Sequence, residues 1–169
     1  MKALPKMVKA AQNATLKQAF KEHLEQTRGH VQRIEEIFEG LDGSPKGKKC
    51  VGMEGLIAEA SELMKEDGEE AVIDAGLILA AQKVEHYEIA GYGSLCTYAE
   101  VLGETEARGL LDETLQEEKV ADEKLSQIAE SNINAQAANG EGDEEERNDD
   151  GSVPARARTR GRVASRSAD

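Results

Sequence analysis

Residues 69–102, EEAVIDAGLILAAQKVEHYEIAGYGSLCTYAEVL, are the longest continuous helical pattern in the chain. Apolar side chains recur at steps of three and four along one face: Ile73, Leu77, Ile78, Ala81, Val84, Tyr92, Leu95 and Tyr98. Gly91 and Gly93 weaken the helical preference locally, but they permit close approach of a neighbouring helix. This stretch predicts a long amphipathic helix packed in a bundle.

Similar helical patterns lie on both sides of this stretch in the sequence. We predict further helices at residues 2–12, Thr15–Leu41, Cys50–Glu66 and Thr105–Ala129, separated by short runs of turn formers. The segment at Cys50–Glu66 is short and is expected to cross between longer helices. The composition, with three Pro and no Trp, agrees with an all-α protein. Long helices joined by short loops are typical of an antiparallel four-helix bundle, here with one extra crossover helix.

The amphipathic pattern stops after Asn132. Acidic residues and glycines follow at 140–151, and five arginines lie at 156–166. We therefore predict a helical bundle at 1–132 and a disordered charged tail at 133–169. The simplest role of the tail is to keep the chain in solution, although its arginines could also contact nucleic acid or acidic partners.

Charge and hydropathy exclude several classes of function. The formal net charge of −13 disfavours binding to nucleic acid or to an anionic membrane. The sequence has neither a membrane span nor a signal peptide, so we expect a cytoplasmic protein. Cys50 and Cys96 fit no disulfide framework or zinc knuckle, and we interpret both as reduced, packed thiols. No catalytic triad, phosphate loop or dinucleotide fingerprint is visible, and the sequence assigns no reaction.

Acidic residues stand on the apolar faces of two predicted helices. Glu85 and Glu88 continue the stripe of the longest helix, and Glu118 and Asp122 lie between leucines on the last helix. A buried carboxylate is costly unless it is paired or bound to a cation. His23 lies beside the apolar line of the second helix and could approach the same cavity.

These five residues are the candidate metal ligands: Glu85, Glu88, Glu118, Asp122 and His23. Carboxylate-rich sites suit iron or manganese, and ferritin-like bundles hold two such ions with Glu-x-x-His pairs. Here Glu85 and Glu88 have the spacing of a Glu-x-x-His pair, but a glutamate stands where that pair has its histidine. The alternative is a solvated helix flank whose carboxylates pair with Lys or Arg, with His23, His30 and His86 as rim residues.

Five blocks of sequence resemble the bacterial YciE/YciF family in order and spacing: KALPKMVKAA, FKEHLEQTRGHVQRIEEIFE, GKKCVGMEGLI, AAQKVEHYEIAGYGSL and LLDETLQEEKVADEKL. The resemblance covers roughly residues 2–130. It implies a ferritin-like, rubrerythrin-related bundle, a homodimer and an association with bacterial stress responses. Members of that family carry further residues ahead of the position of Met1, including an acidic residue, so a truncated first helix and an incomplete metal site are expected.

Three hypotheses therefore stand. The first is a ferritin-like stress-response protein with a carboxylate-rich di-iron or di-manganese site. The second is a metal-free structural protein whose function is dimerisation and whose carboxylates are satisfied by Lys83, Lys119 or tyrosine hydroxyls. A third, association with nucleic acid through the Arg-rich tail, has less support.

Overall fold

The computed structural model describes residues 3–139, which are mostly helical and contain no strand. The helices are α1 Leu4–Ala10, α2 Ala14–Gly40, α3 Val51–Leu63, α4 Glu70–Leu102, α5 Thr105–Ile128 and α6 Asn134–Asn139. A single π-helical turn, Ala129–Ile133, joins α5 to α6. The all-α prediction is confirmed, and each predicted helix is present. None of the helices in residues 3–139 is both long enough and apolar enough to cross a membrane.

Local sequence signals explain where α2 begins and α4 ends. The side chain of Asn13 accepts hydrogen bonds from the backbone N–H groups of Thr15 and Leu16, at 2.9 and 3.1 Å, and so caps α2. Gly103 ends α4 in a left-handed conformation, with φ of 77°, which favours glycine. The buried carboxylate of Asp74 also accepts from the backbone N–H of Asn13, at 2.6 Å, and attaches the α1–α2 corner to α4.

Contacts between side chains define the directions of the helices. Glu22 near the start of α2 pairs with Lys124 near the end of α5, and Arg33 near the end of α2 pairs with Glu113 at 2.6 Å. The two helices are therefore antiparallel, and α5 also runs antiparallel to α4 across the short turn at Gly103. Lys83 of α4 pairs with Glu59 of α3 at 2.6 Å. The short α3 thus returns the chain and allows α2 and α4 to run in the same direction.

The core consists of two apolar clusters on either side of a polar layer. The larger cluster surrounds Phe20 and Leu77, which are 2% and 0% exposed. The smaller one, at the other end of α4 and α5, contains Cys96 and Leu111. Between them lie buried histidines and carboxylates. Cys96 is a packed free thiol as predicted, whereas Cys50 is an exposed one, with Sγ 3.0 Å from the hydroxyl of Tyr87.

The structure differs from the sequence prediction in one boundary and in the burial of two side chains. Helical structure continues past residue 132 to Asn139, and Ile133 in the π-helical turn packs into the larger cluster, where it is 1% exposed. Residues 140–169, with the predicted acidic and Arg-rich tail, lie outside the described residues. Leu95 and Tyr98 were expected in the core but are 44% and 61% exposed, since α3 is too short to cover the second half of α4.

Candidate metal centre

One side chain from each of three long helices meets in the polar layer. His23 comes from α2, Glu85 from α4 and Glu118 from α5, and their exposed fractions are 9%, 2% and 1%. The Nε2 of His23 lies 3.2 Å from Oε1 of Glu85 and 3.6 Å from Oε2 of Glu118. One ligand atom from each residue lies within 4.8 Å of the others. A single cation could therefore contact all three residues.

The orientation of Glu118 is fixed from the side away from His23. The buried His30 has Nδ1 3.1 Å from Oε1 of Glu118 and Nε2 2.8 Å from Oε2 of Glu117. Arg33 in turn donates to both oxygens of Glu117, at 2.6 and 3.0 Å. Hydrogen bonds of this kind hold metal-binding side chains in place in known metal sites.

Two buried carboxylate oxygens in this layer have no hydrogen-bond donor among residues 3–139. They are Oε2 of Glu85 and Oε2 of Glu118. Buried polar atoms are nearly always satisfied, and an orphaned carboxylate oxygen is costly because it has lost its water. A metal cation would satisfy both oxygens at once. Nitrogen and carboxylate donors of this kind suit first-row transition metals, so the residues present fit such an ion.

The close packing of these side chains also shifts the pKa values of His23, Glu88 and Glu118. Burial alone lowers the pKa of His23, but the hydrogen bond to Glu85 and the charges of Glu85 and Glu118 outweigh it and raise this pKa to about 9. Burial raises the pKa of Glu88 to about 7, and the nearby charge of Glu118 adds to the rise. Burial likewise raises the pKa of Glu118, against the opposing hydrogen bond from His30. Without a metal ion, bound protons therefore offset part of the negative charge of these carboxylates.

The structure brings together His23, Glu85 and Glu118 of the five predicted ligands. Glu88 lines the neighbouring cleft, outside the group whose ligand atoms meet. Asp122 is also not in that group. Its carboxylate accepts from Gln82 at 3.1 Å and lies 3.1 Å from Nε2 of His86.

His30 and Glu117 take a larger part in the layer than the sequence suggested. His30 lies seven residues, or two helical turns, after His23, and this spacing on one face was the available signal. Nothing in the sequence indicated that Arg33 would clamp Glu117 across the α2–α5 contact.

Two openings lead to the polar layer. A cleft of about 470 Å³ runs between α2 and α3, with α1 at one end, and reaches Glu85 and Glu88. A smaller opening of about 100 Å³ lies between α2 and α5, where Gln26 and Lys124 line the approach to His23.

Comparison with known proteins agrees with this architecture. The family described as a domain of unknown function, DUF892, matches residues 1–138. Protein YciF of Escherichia coli K12 is 50% identical over 139 residues, covering 82% of this chain and 84% of that protein. The crystal structure of that stress protein superimposes with a TM-score of 0.76, covering 80% of this chain and 86% of the other.

A second solved structure is YcfI of Rhodopseudomonas palustris, a proposed structural protein. It is 43% identical, has a TM-score of 0.74, and covers 76% of this chain and 82% of its own. The resemblance to the YciE/YciF family is thereby confirmed.

Proposed function

This chain belongs to the DUF892 family, and we propose that its buried histidine and carboxylates bind divalent iron or manganese. The observation that carries the proposal is the pair of orphaned oxygens, Oε2 of Glu85 and Oε2 of Glu118, in a layer that also presents His23. Folding places these groups out of water without a donor among residues 3–139, and a divalent cation would satisfy both.

Each residue of the layer has a distinct part in this proposal. His23, Glu85 and Glu118 would hold the ion. His30, held by Glu117, positions Glu118. Bound iron or manganese would supply one-electron redox chemistry. We place this activity in a stress response, as the name of the Escherichia coli relative suggests, in a ferritin-like bundle.

Metal affinity in single variants tests the proposal. Mn²⁺ is titrated calorimetrically into the metal-free chain and into Glu85→Gln, Glu118→Gln and Glu130→Gln, the last changing an exposed carboxylate outside the layer. We expect the first two variants to lose affinity by about 100-fold or more and the control to match the wild type. Equal affinity in all four proteins, or no binding by the wild type while circular dichroism shows a folded chain, would refute it.

A second function, formation of a structural homodimer, is favoured by the surface of α4. Beyond the part of α4 that α3 covers, one face of α4 exposes Leu95, Tyr98 and Leu102, at 44%, 61% and 73%. Gly91 is on the same face, and a Cβ there would meet only open space within the described chain. A mid-helix glycine weakens the helix by about 1 kcal/mol, and close approach of a second helix would compensate for this cost.

The solution mass of designed variants tests this second proposal. The double variant Leu95→Lys/Tyr98→Lys should sediment as a monomer where the wild type sediments as a dimer. The variants Glu85→Gln and Glu118→Gln should leave pairing intact, because their side chains lie inside the bundle. A wild-type chain that is monomeric at high concentration would refute the dimer.

A further inference from the structure

The cleft between α2 and α3 has the form of a ligand site. α5 packs against both α2 and α4, and α3 packs against α4, which leaves this side of the bundle open. Apolar side chains from four helices form most of its walls: Leu4, Met7, Val31, Ile34, Met53, Ile57 and Val84. Its volume of about 470 Å³ is within the range of about 300–1,000 Å³ that is usual for pockets that bind small molecules.

The shape of the cleft favours an elongated ligand. Its lining follows α2 from His23 to Glu35, a distance of about 18 Å at the helical rise per residue. Ala3 and Leu4 lie at one part of the rim and Pro45 at another. A single aliphatic chain fits such a volume, whereas a whole helix, about 10 Å across, does not.

The described lining of the cleft holds three carboxylates and two histidines, and both histidines pair with carboxylates of the polar layer. Glu85 and Glu88 lie at the floor and Glu35 at the mouth, and no Lys or Arg is among the lining residues that the structure describes. Glu88 makes no hydrogen bond or ion pair with any residue in 3–139. Glu85, which is 2% exposed, has an oxygen without a donor. His23 and His30 are already paired with Glu85, Glu117 and Glu118, so an anionic headgroup would find no free cation among the described lining residues. A cationic headgroup would find the carboxylate of Glu88.

We propose that the cleft binds an amphiphilic organic cation, a primary amine on an aliphatic chain. The ammonium group is held by Glu88, and the chain lies between α2 and α3 against Val31, Ile34 and Ile57. This ligand is separate from the metal ion proposed above.

The proposal is compatible with a metal in the polar layer and does not depend on it. A divalent ion held by Glu85 and Glu118 would neutralise those two carboxylates and leave Glu88 as the acidic group that faces the cleft. Ligand binding is therefore expected in both the metal-free and the metal-loaded chain. The two proposals can fail separately.

Titration with a defined probe tests the inference. Octylammonium is titrated into the full chain at pH 8 in the presence of a chelator, and binding is followed by calorimetry and by amide chemical shifts. Octanoate tests the sign of the headgroup, and propylammonium tests the need for the chain. We expect both to bind at least about tenfold more weakly than octylammonium, because one lacks the charge-assisted contact and the other the apolar burial.

Two variants with matched controls locate the site. Glu88→Gln should weaken octylammonium binding by about tenfold or more, and Ile57→Gln should weaken it through the wall of the cleft. Glu130→Gln and Leu79→Gln, which change exposed residues outside the cleft, should bind as the wild type does. Because Glu88→Gln removes no packing, it remains informative even if Ile57→Gln does not fold.

Three results would overturn the proposal. The first is binding of octanoate as tightly as octylammonium, and the second is an unchanged affinity in Glu88→Gln. The third is intermolecular nuclear Overhauser effects that place a helix of a second copy in the cleft. If the chain binds octylammonium but takes up no metal, the inference stands and the metal proposal fails.

Discussion

Replacing Glu88 with glutamine is expected to stabilise the metal-free chain at alkaline pH. Burial raises the pKa of this carboxyl from its ordinary value of 4.5 to about 7. Between these values the folded chain binds a proton that the unfolded chain has released, so the stability of the wild type falls as pH rises from 4.5 through 7. Glutamine does not titrate, and the variant avoids this loss.

The magnitude follows from the same rise. A pKa raised from 4.5 to about 7 corresponds to about 3 kcal/mol, at about 1.4 kcal/mol for each tenfold change in proton affinity. The cleft admits solvent to Glu88, which screens the charge, so we expect the variant to gain about 1–2 kcal/mol at pH 8.

Urea denaturation in the presence of a chelator measures this difference at pH 5 and at pH 8, with Glu130→Gln as the control. The increase in the free energy of unfolding should be small at pH 5 and should reach about 1–2 kcal/mol at pH 8. A variant that is no more stable than the wild type at pH 8, or a gain that is equal at both pH values, would refute the reasoning.

Two further substitutions test contacts that support the site. Asp74→Asn leaves one acceptor for the two backbone N–H groups of Gln12 and Asn13, and should lower the free energy of unfolding by about 1–3 kcal/mol in urea melts. An unchanged midpoint would contradict the proposed attachment of the α1–α2 corner. Arg33→Met removes the clamp on Glu117 and should weaken Mn²⁺ binding by about tenfold, measured by calorimetry. Undiminished affinity would show that this clamp does not position the ligands.

Periodicity predicted the helices and the inward position of two of the three clustered side chains, because both depend on local geometry. Glu85 and Glu118 lie at the centre of the core-facing stripe, where a small rotation of the helix does not move them outside. Asp122, one turn after Glu118, is rotated by about 40° because a turn has 3.6 residues, and this carries it to the α4–α5 seam beside Gln82 and His86. The sequence alone did not show how far round the α5 helix its buried face extends.

The other differences depend on contacts between distant segments. The burial of His30 depends on how α2 packs on α5, and the exposure of Tyr98 depends on where α3 begins, since the first turn of α3 lies beside Tyr87. Helical structure beyond residue 132 includes a π-helical turn, and the burial of Ile133 there depends on contacts with the larger cluster. No single-segment pattern contains this information.

Diffraction from crystals soaked in Mn²⁺, recorded near the manganese absorption edge, tests the central claim most directly. We predict an anomalous peak in the polar layer between His23, Glu85 and Glu118, and no peak there in crystals of Glu118→Gln soaked in the same way. A layer without anomalous density in the wild type, at a concentration of Mn²⁺ that saturates other carboxylate sites of the same crystal, would contradict the account.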